Sequence, residues 1–239
     1  MNQTLTIAKR ELTSLFFSPI AYIVLGLFAL VSTLLFLMYF GPNEPATIRN
    51  HAQWIVWLMV FLVPAISMRL VSEEYRTGTI EPLMTAPLSD TQVIAGKWLG
   101  AMGFLLVLLS PVVVHILLLE FNGDPDYGPI FTCLIGLVGV GGLYLAIGTF
   151  ASATTQNQII AFLLTVFITG FLTIGLYSIS QRPFVSGPVQ QALFYLNVDR
   201  QFDDFAKGLI DTSNFVYFIS GIGVFLFLAV MLLQSRRWR

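Results

Sequence analysis

Charged residues are scarce in this sequence. Of its 239 residues, 12 are Lys or Arg and 13 are Asp or Glu, a charged fraction of 10%, whereas ordinary globular domains have about 25%. Hydrophobic residues make up 56%, and the mean hydropathy is +0.80. The net charge of −1 gives no reason to expect nucleic-acid binding. The long uncharged runs indicate membrane spans, since a helix of about 20 apolar residues crosses about 30 Å of hydrocarbon.

Cysteine and histidine are scarce as well. The single cysteine, Cys133, lies in an apolar run, so neither a disulfide framework nor a Cys-rich metal site is expected. His115 is the only ionisable residue deep inside a run. We interpret it as hydrogen-bonding to a neighbouring helix or reaching the interface, with a role in a pathway as the alternative. His51 falls in a predicted loop and has no clear partner. The sequence therefore predicts no metal site.

Motifs for catalysis and nucleotide binding are missing. The sequence has no zinc-protease signature, no nucleophile elbow and no paired intramembrane aspartates. Gly96 and Lys97 are similar to the end of a phosphate-binding loop, but Trp98 follows where Ser or Thr is required. We therefore expect no catalytic residue and no cofactor bound by this chain. Any ATP and Mg²⁺ that it depends on would be bound by a separate subunit.

Six long apolar runs predict an all-α membrane protein with six transmembrane helices. The predicted spans are roughly Pro19–Phe40, Gln53–Val71, Trp98–Leu119, Pro129–Ser152, Gln158–Ser180 and Phe215–Gln234. Pro64 and Pro111 fall inside spans two and three and predict packing kinks, whose freed carbonyl groups neighbouring helices can satisfy. A moving hinge is the alternative. Small residues four positions apart predict close helix packing, either in a tight bundle or at a dimer seam. These pairs are Gly96 and Gly100, Gly142 and Ala146, and Gly148 and Ser152.

Lysine and arginine predict the orientation of the spans. Six spans place both termini on one side, and that side carries eight of the twelve basic residues. The eight are Lys9, Arg10, Arg69, Arg76, Lys97, Arg236, Arg237 and Arg239, and the other four are Arg49, Arg182, Arg200 and Lys207. Because cytoplasmic loops are enriched in Lys and Arg, both termini are predicted to be cytoplasmic.

Two segments outside the spans are amphipathic. Residues 1–17 place apolar residues at helical spacing with basic and hydroxyl residues between them, which predicts an N-terminal interface helix. Residues 181–214 mix aromatic and aliphatic residues with several aspartates. That segment is too apolar for a linker and too charged for a span. It is predicted to be an extracytoplasmic helical segment, with a pair of interfacial helices that cap the outer face.

Residues 72–97 connect spans two and three and are rich in charge, glycine and proline. Gly78 permits a left-handed helix end, and Thr79 can cap a new short helix. Ser89 or Asp90 then caps the helix that leads into span three. The apolar residues of the short helix predict docking into a groove of a second protein. A solvated loop with incidental charge is the alternative.

The segment PAISMRLVSEEYRTGTIEPLMTAPLSDTQVIAGKWLG, residues 64–100, closely resembles the hallmark segment of ABC-2 type transporter permeases. Their pattern is E-E-x-x-x-G-T-x-E-x-L-x-x-x-P-x-S followed by G-K. The matching residues are Glu73, Glu74, Gly78, Thr79, Glu81, Leu83, Pro87, Ser89, Gly96 and Lys97. Pro82 stands where many members have leucine. The stretches FFSPIAYIV (Phe16–Val24) and QFDDFAKGLIDTSNFVYFIS (Gln201–Ser220), with the closing QSRRW, resemble the gliding-motility type permeases of that family.

The resemblance implies a single ABC-2 type transmembrane domain over residues 1–239 of a bacterial inner-membrane transporter. Such a chain pairs with a second permease copy or paralogue and with separate cassette ATPase subunits, and residues 72–97 would hold the coupling helix. The residues expected to contact the ATPase are Thr79, Ile80, Glu81, Pro82, Leu83 and Met84. The residues expected to support that contact are Glu73, Glu74, Arg76, Gly78, Pro87 and Lys97.

Two functions remain open from the sequence. The first is ATP-driven export between two permeases, with spans two and five as walls and Thr165, Thr169 and Thr173 lining a path for a lipid-like or amphipathic cargo. The second is mechanotransmission, in which an extracytoplasmic partner protein docks on residues 181–214 and no cargo crosses the bilayer. An intramembrane enzyme is disfavoured because no catalytic constellation is present.

Overall fold

Helices form the regular structure of the chain. The computed structural model describes residues 3–41, 47–79, 88–182 and 187–237, and the regular structure within these ranges is helical throughout. The helices are α1 (Gln3–Phe16), α2 (Pro19–Met38), α3 (Arg49–Ser67), α4 (Ser72–Thr77), α5 (Asp90–Leu108), α6 (Ser110–Asn122), α7 (Tyr127–Thr154), α8 (Gln158–Gly170), α9 (Leu176–Ser180), α10 (Gly187–Leu196), α11 (Val198–Ala206) and α12 (Thr212–Arg237). A π-helical turn, Phe171–Gly175, lies between α8 and α9.

Six helical stretches are long and apolar enough to cross a membrane, which confirms the predicted all-α fold with six spans. They are span one (Pro19–Met38), span two (Arg49–Thr77), span three (Asp90–Phe121), span four (Tyr127–Thr154), span five (Gln158–Ser180) and span six (Thr212–Ser235). Span two begins before its predicted start, so His51 lies in a helix and the prediction that it lies in a loop is wrong. We call the end of the bundle with α1, α4 and the start of α5 the α1 end, and the opposite end the α11 end.

Span four is the central helix of the bundle. Most of its residues are buried, and it packs against α3, α8, α11 and α12. Glycine makes this close packing possible, because a Cβ atom at Gly141 would collide with Leu105 and Met59, and one at Gly148 would collide with Ser67. Span four therefore positions spans two, five and six.

Helix α1 packs along the first half of α5. A Cβ atom at Gly96 would lie 2.8 Å from Ile7 Cβ, and one at Gly100 would lie 2.7 Å from the Ala8 carbonyl oxygen. The close approach predicted from this pair of glycines is thus made with α1 and not with another span. Glycine at both positions lets α1 lie directly against the backbone of span three.

Spans two and three are both interrupted near a proline. Helix α3 contains Pro64 and ends at Ser67, and residues 68–71 form turns before α4 begins. In span three, α5 and α6 meet at Leu109, and Pro111 lies in the first turn of α6. Proline has no backbone N–H and its ring clashes with the preceding turn, so a helix kinks or restarts at such a position.

Helices α10 and α11 lie between spans five and six. The side chains of Phe202 and Phe205 in α11 are buried against Gly136 of span four, where a Cβ atom would come within 2.9 Å of the Phe202 ring and of Phe205 Cβ. The Thr132 hydroxyl of span four also donates to the Phe205 carbonyl oxygen at 2.6 Å. Helix α11 is therefore held on the central span and is part of the bundle.

Candidate functional site

A buried group of charged side chains joins three helices at the α1 end. The Nζ atom of Lys97 in α5 lies 2.8 Å from a carboxylate oxygen of Glu74 in α4 and 3.2 Å from one of Glu11 in α1. The side chains of Lys97, Glu11 and Glu74 are only 4%, 14% and 17% exposed. We call these three residues the ion cluster. It connects the interface helix α1 to α4 and to the start of α5, both of which lie in the hallmark segment.

The ion cluster contains one positive and two negative charges. Lys97 is shared by both ion pairs, and Glu74 Oε2 is buried with no hydrogen-bond partner among the described residues. Removing a charge from water costs several kcal/mol, so each of the two carboxylates depends on its contact with Lys97. The cluster therefore fixes the position of α4 relative to α1 and α5.

Arg69, in the turn after α3, makes a second connection to α1. Its Nη2 atom donates to the Ser14 carbonyl oxygen at 3.0 Å, and its Nε atom lies 4.0 Å from a carboxylate oxygen of Glu73. Ser14 lies in the last turn of α1, where carbonyl groups lack partners within the helix and a positive charge is favourable. Span two is therefore attached to both the middle and the end of α1.

The backbone groups left free by the break in span two form hydrogen bonds with a side chain of span four. Ser152 Oγ accepts hydrogen bonds from the backbone N–H groups of Val71 and Ser72 and donates one to the Met68 carbonyl oxygen, all at 2.9 Å. Backbone groups that leave the helical pattern inside a membrane protein must find such internal partners. The bend that brings α4 to Lys97 therefore depends on Ser152.

Replacing Ser152 with alanine is expected to lower the free energy of unfolding by about 2 kcal/mol, because two buried N–H groups lose their acceptor. The measurement is thermal and denaturant-induced unfolding of the purified protein in detergent. Ser178→Ala is the matched control, since the Ser178 hydroxyl is exposed and donates only to the Ile174 carbonyl oxygen of its own span. Equal stability of the two variants would contradict the role given to Ser152.

Two ordered helix ends lie within the hallmark segment. Helix α4 ends at Thr77, and Gly78 follows with φ of 72°, the left-handed conformation predicted for it. Helix α5 begins with a capping box in which the side chains of Ser89 and Gln92 bond each other's backbone N–H groups. Of the two predicted caps, the structure therefore has Ser89 and not Asp90.

The predicted contact set lies mostly outside the described residues. Thr79 is exposed, and its hydroxyl oxygen lies 2.9 Å from that of Thr77. Arg76 is exposed beside Gln156 and Asn157 and forms no ion pair with another described residue, unlike the predicted support residues Glu73, Glu74 and Lys97. The predicted site residues outside the described ranges are Ile80, Glu81, Pro82, Leu83, Met84 and Pro87.

Glu11 and Ser152 are site residues that the sequence analysis missed. Glu11 is the sole acidic residue of α1, and an isolated acid on a basic amphipathic helix was an available signal for a partner cation. Ser152 stood out only as a small residue in a packing motif. Nothing in the local sequence indicates which distant backbone groups its hydroxyl would bind.

Two histidines join spans one, two and three. His115 Nδ1 lies 3.2 Å from His51 Nε2, and His115 Nε2 lies 3.1 Å from Thr33 Oγ1. The Phe36 ring stacks on the His115 ring at a centroid distance of 4.7 Å. The interpretation of His115 as a hydrogen-bonding partner of neighbouring helices is confirmed, whereas the expectation of no partner for His51 is wrong. Within the described ranges, no three His, Cys, Asp or Glu side chains are grouped to hold a metal ion.

The threonines of span five do not line an open surface. Thr165, Thr169 and Thr173 are buried, and each hydroxyl donates to the carbonyl oxygen four residues earlier. The prediction that these side chains line a path is therefore wrong, because they are already buried inside the single chain. The exposed face of span five is apolar and includes Ile159 and Phe167.

The π-helical turn connects span five to α11 through Asn197. The Asn197 Nδ2 atom donates to the carbonyl oxygens of Thr173 at 2.7 Å and Leu172 at 3.3 Å, both within the turn. Its Oδ1 atom accepts from the Arg200 N–H at 2.8 Å and so caps α11. A π-helical turn leaves backbone carbonyl groups outside the regular α pattern. One side chain therefore binds the irregular part of span five to the start of α11.

Asp203 of α11 connects the α11 end to span two. It accepts hydrogen bonds from Arg49 and Gln53, both at 3.0 Å, and also pairs with Lys207. Burial alone would raise the pKa of Asp203, but the hydrogen bonds and charges of Lys207 and Arg49 together hold it below its usual range. Asp203 is therefore ionised at neutral pH and holds α11 against the first turns of span two.

The six apolar spans define a multi-pass membrane protein. Residues 51–198 match the family described as ABC-2 family transporter protein, and the match runs from span two to the start of α11. Because more than half of the chain is matched, the protein belongs to the ABC-2 transporter family and carries its permease domain. The matched region includes Glu74, Lys97 and Ser152. Comparison with curated proteins gives no significant match.

Proposed function

We propose that this protein is the membrane permease subunit of an ATP-driven exporter. Its termini and residues 72–97 face the cytoplasm of a bacterium, and a separate cassette ATPase binds ATP and Mg²⁺. A second permease, identical or paralogous, completes the transporter in the inner membrane. The ATPase is contacted by Thr79, Ile80, Glu81, Pro82, Leu83 and Met84, which we call the contact segment. The hydrolytic chemistry belongs to that partner.

The observation that carries the proposal is the ion cluster at the α1 end of spans two and three. A segment that transmits force between two proteins needs firm attachment on both of its sides. Glu74 precedes the contact segment and Lys97 follows it, and their ion pair of 2.8 Å joins the two flanks. Glu11 adds the interface helix to the same cation. The helix ends at Gly78 and Ser89 support the same function, because α4 stops before the contact segment and α5 starts only after it.

The proposed motion passes from the contact segment into spans two and three together. When the cassette dimer closes on ATP, it displaces the contact segment, and the shared ion cluster makes α4 and α5 follow as a unit. The bend at residues 68–71, which Ser152 of span four stabilises, is where span two changes direction. The two permeases then separate on the side that faces the exterior.

The test is co-purification in mild detergent of the intact chain and of a Glu81→Arg/Leu83→Asp variant. We expect a cassette ATPase to co-purify with the intact chain and to be reduced at least about tenfold with the variant, because a reversed charge and a buried acid oppose docking. Asp124→Arg, in the exposed link between spans three and four, is the charge-reversal control and should retain the ATPase. An ATPase bound equally by both variants, or absent from the intact chain, contradicts the proposal.

Mechanotransmission is the second candidate, and the packing of the α11 end supports it. Asp203 connects α11 to span two, and Asn197 connects it to the π-helical turn of span five. Movement of either span would therefore reach α10 and α11, where an extracytoplasmic partner protein would dock. The buried threonines of span five leave this chain without the polar path that was predicted. The resemblance to gliding-motility type permeases agrees with either function. The two can be distinguished by measuring ATP-dependent transport of a lipid-like or amphipathic cargo in vesicles.

A further inference from the structure

A cavity lined by aromatic side chains lies at the α11 end, beside the end of span one and the start of span two. Its volume is about 380 Å³, and it is lined by Tyr39, Asn50, Gln53, Trp54, Trp57 and Asp199. Tyr39 directly follows span one, the tryptophans lie in the first turns of span two, and Asp199 lies in α11. Three separate elements therefore form one open pocket.

The aromatic rings of the pocket are held in place by hydrogen bonds. Trp54 Nε1 donates to the Tyr39 hydroxyl oxygen at 2.7 Å, and Trp57 Nε1 donates to Asp199 Oδ1 at 3.4 Å. The two indole rings lie 6.2 Å apart and are tilted by 53° to each other. Tilted rings give the pocket several π surfaces at different angles, which suits a compact cation better than a flat ring.

Asp199 has no basic partner among the described residues. Arg49 and Lys207 are both bound to Asp203, and the adjacent Arg200 lies over the Phe194 ring. Asp199 receives only the long hydrogen bond from Trp57, and burial raises its pKa, with the charge of Asp203 adding to the effect. A carboxylate in this position gains most from a cation that enters from outside the chain.

We propose that this pocket binds an organic ammonium group, with Asp199 as the counter-ion and the rings of Tyr39, Trp54 and Trp57 around the cation. Trp and Tyr rings attract ammonium groups through their π faces, and a carboxylate beside them selects for charge. The pocket lies beside the end of span one and the start of span two, and spanning helices end near the lipid headgroups. The group can therefore belong to a lipid headgroup or to a soluble amine. Its binding does not depend on the chain being driven by an ATPase.

A membrane-boundary belt of aromatic residues alone does not account for the pocket. Belt residues need only an apolar ring and a polar tip that reaches water. Here both indole N–H groups are directed to protein oxygen atoms, and a carboxylate without a cation lies beside one of them. A neutral saccharide would use a ring as a flat stacking surface and would gain little from the charge of Asp199.

The test uses the purified full chain and compares Asp199→Asn with Asp211→Asn. Asparagine at 199 keeps the shape and an oxygen for the Trp57 N–H but removes the charge. Asp211 lies in the same region outside the pocket, and its side chain accepts from the Ser213 N–H, which asparagine can also do. Tetramethylammonium and choline are titrated against intrinsic tryptophan fluorescence, with sodium chloride and maltose as comparison solutes. Native mass spectrometry then measures retention of phosphatidylcholine, phosphatidylethanolamine and phosphatidylglycerol.

We expect saturable quenching by the ammonium probes with a dissociation constant on the order of 1 mM, weakened about tenfold by Asp199→Asn and unchanged by Asp211→Asn. Retention of the two ammonium lipids over phosphatidylglycerol, lost in Asp199→Asn, supports the proposal and identifies the source as a headgroup. Quenching by the soluble probes without lipid retention supports it with a soluble amine as the source. Equal responses to maltose and choline, no effect of Asp199→Asn, or no binding of any ammonium group overturns it.

Discussion

Replacing Lys97 with methionine is expected to lower the free energy of unfolding by about 4 kcal/mol, because the substitution leaves two buried carboxylates without a cation. Methionine is similar in length and apolar, so the packing volume changes little. Glu11 and Glu74, only 14% and 17% exposed, would then repel each other across the same site. We expect α1 to detach from α4. The measurements are the unfolding free energy in detergent and the rate of proteolysis within α1.

A neutralised cluster separates the effect of charge from that of packing. In the variant Lys97→Met/Glu11→Gln/Glu74→Gln no uncompensated charge remains, so most of the lost stability should return. Lys207→Met is the matched control at the α11 end, where the side chain is 39% exposed, and it should cost only about 0.5 kcal/mol. Equal losses in the single and triple variants would show that Lys97 acts through packing.

The local features of the α1 end could be predicted from the sequence. A glycine after a short charged helix predicts a left-handed end, and Ser89 followed by Gln92 predicts a capped start, because both effects act over a few residues. The six spans could also be predicted, because hydropathy is a property of one continuous stretch of sequence. The ion cluster is different, since Lys97 and Glu11 are 86 residues apart and their pairing depends on how α1 packs on α5. Gly96 and Gly100 allow that packing, but the sequence does not indicate which helix packs against them.

The orientation of each span within the bundle could not be predicted. When nearly every residue of a span is apolar, the helical period no longer separates a buried face from an exposed one. Thr165, Thr169 and Thr173 illustrate the difficulty, because a hydroxyl that bonds its own helix can be buried at little cost. The contact between His51 and His115 could not be predicted either, since it depends on the packing of spans two and three.

Replacing Gly148 with alanine is expected to lower the free energy of unfolding by about 3 kcal/mol, at the upper end for overpacked interiors. A Cβ atom at 148 would overlap both Oγ and Cβ of Ser67 in span two. The Oγ atom can rotate away, but the Cβ atom is fixed to the backbone of span two, so the helix backbones themselves must separate. That separation would also weaken the bonds from Ser152, one turn further along the same face, to the break in span two. Unfolding in detergent measures the loss.

The cause of the Gly148 effect can be isolated with two further variants. Gly223→Ala places the same methyl group in span six, where no atom beyond the adjoining part of its own helix lies within 4 Å. Because alanine favours a helix over glycine by about 1 kcal/mol, that control should be as stable as the parent or more stable. Gly148→Ala/Ser67→Gly removes the colliding side chain from the opposite helix and should recover much of the lost stability. If Gly148→Ala behaves like Gly223→Ala, spans two and four are not in the close contact on which the bend in span two depends.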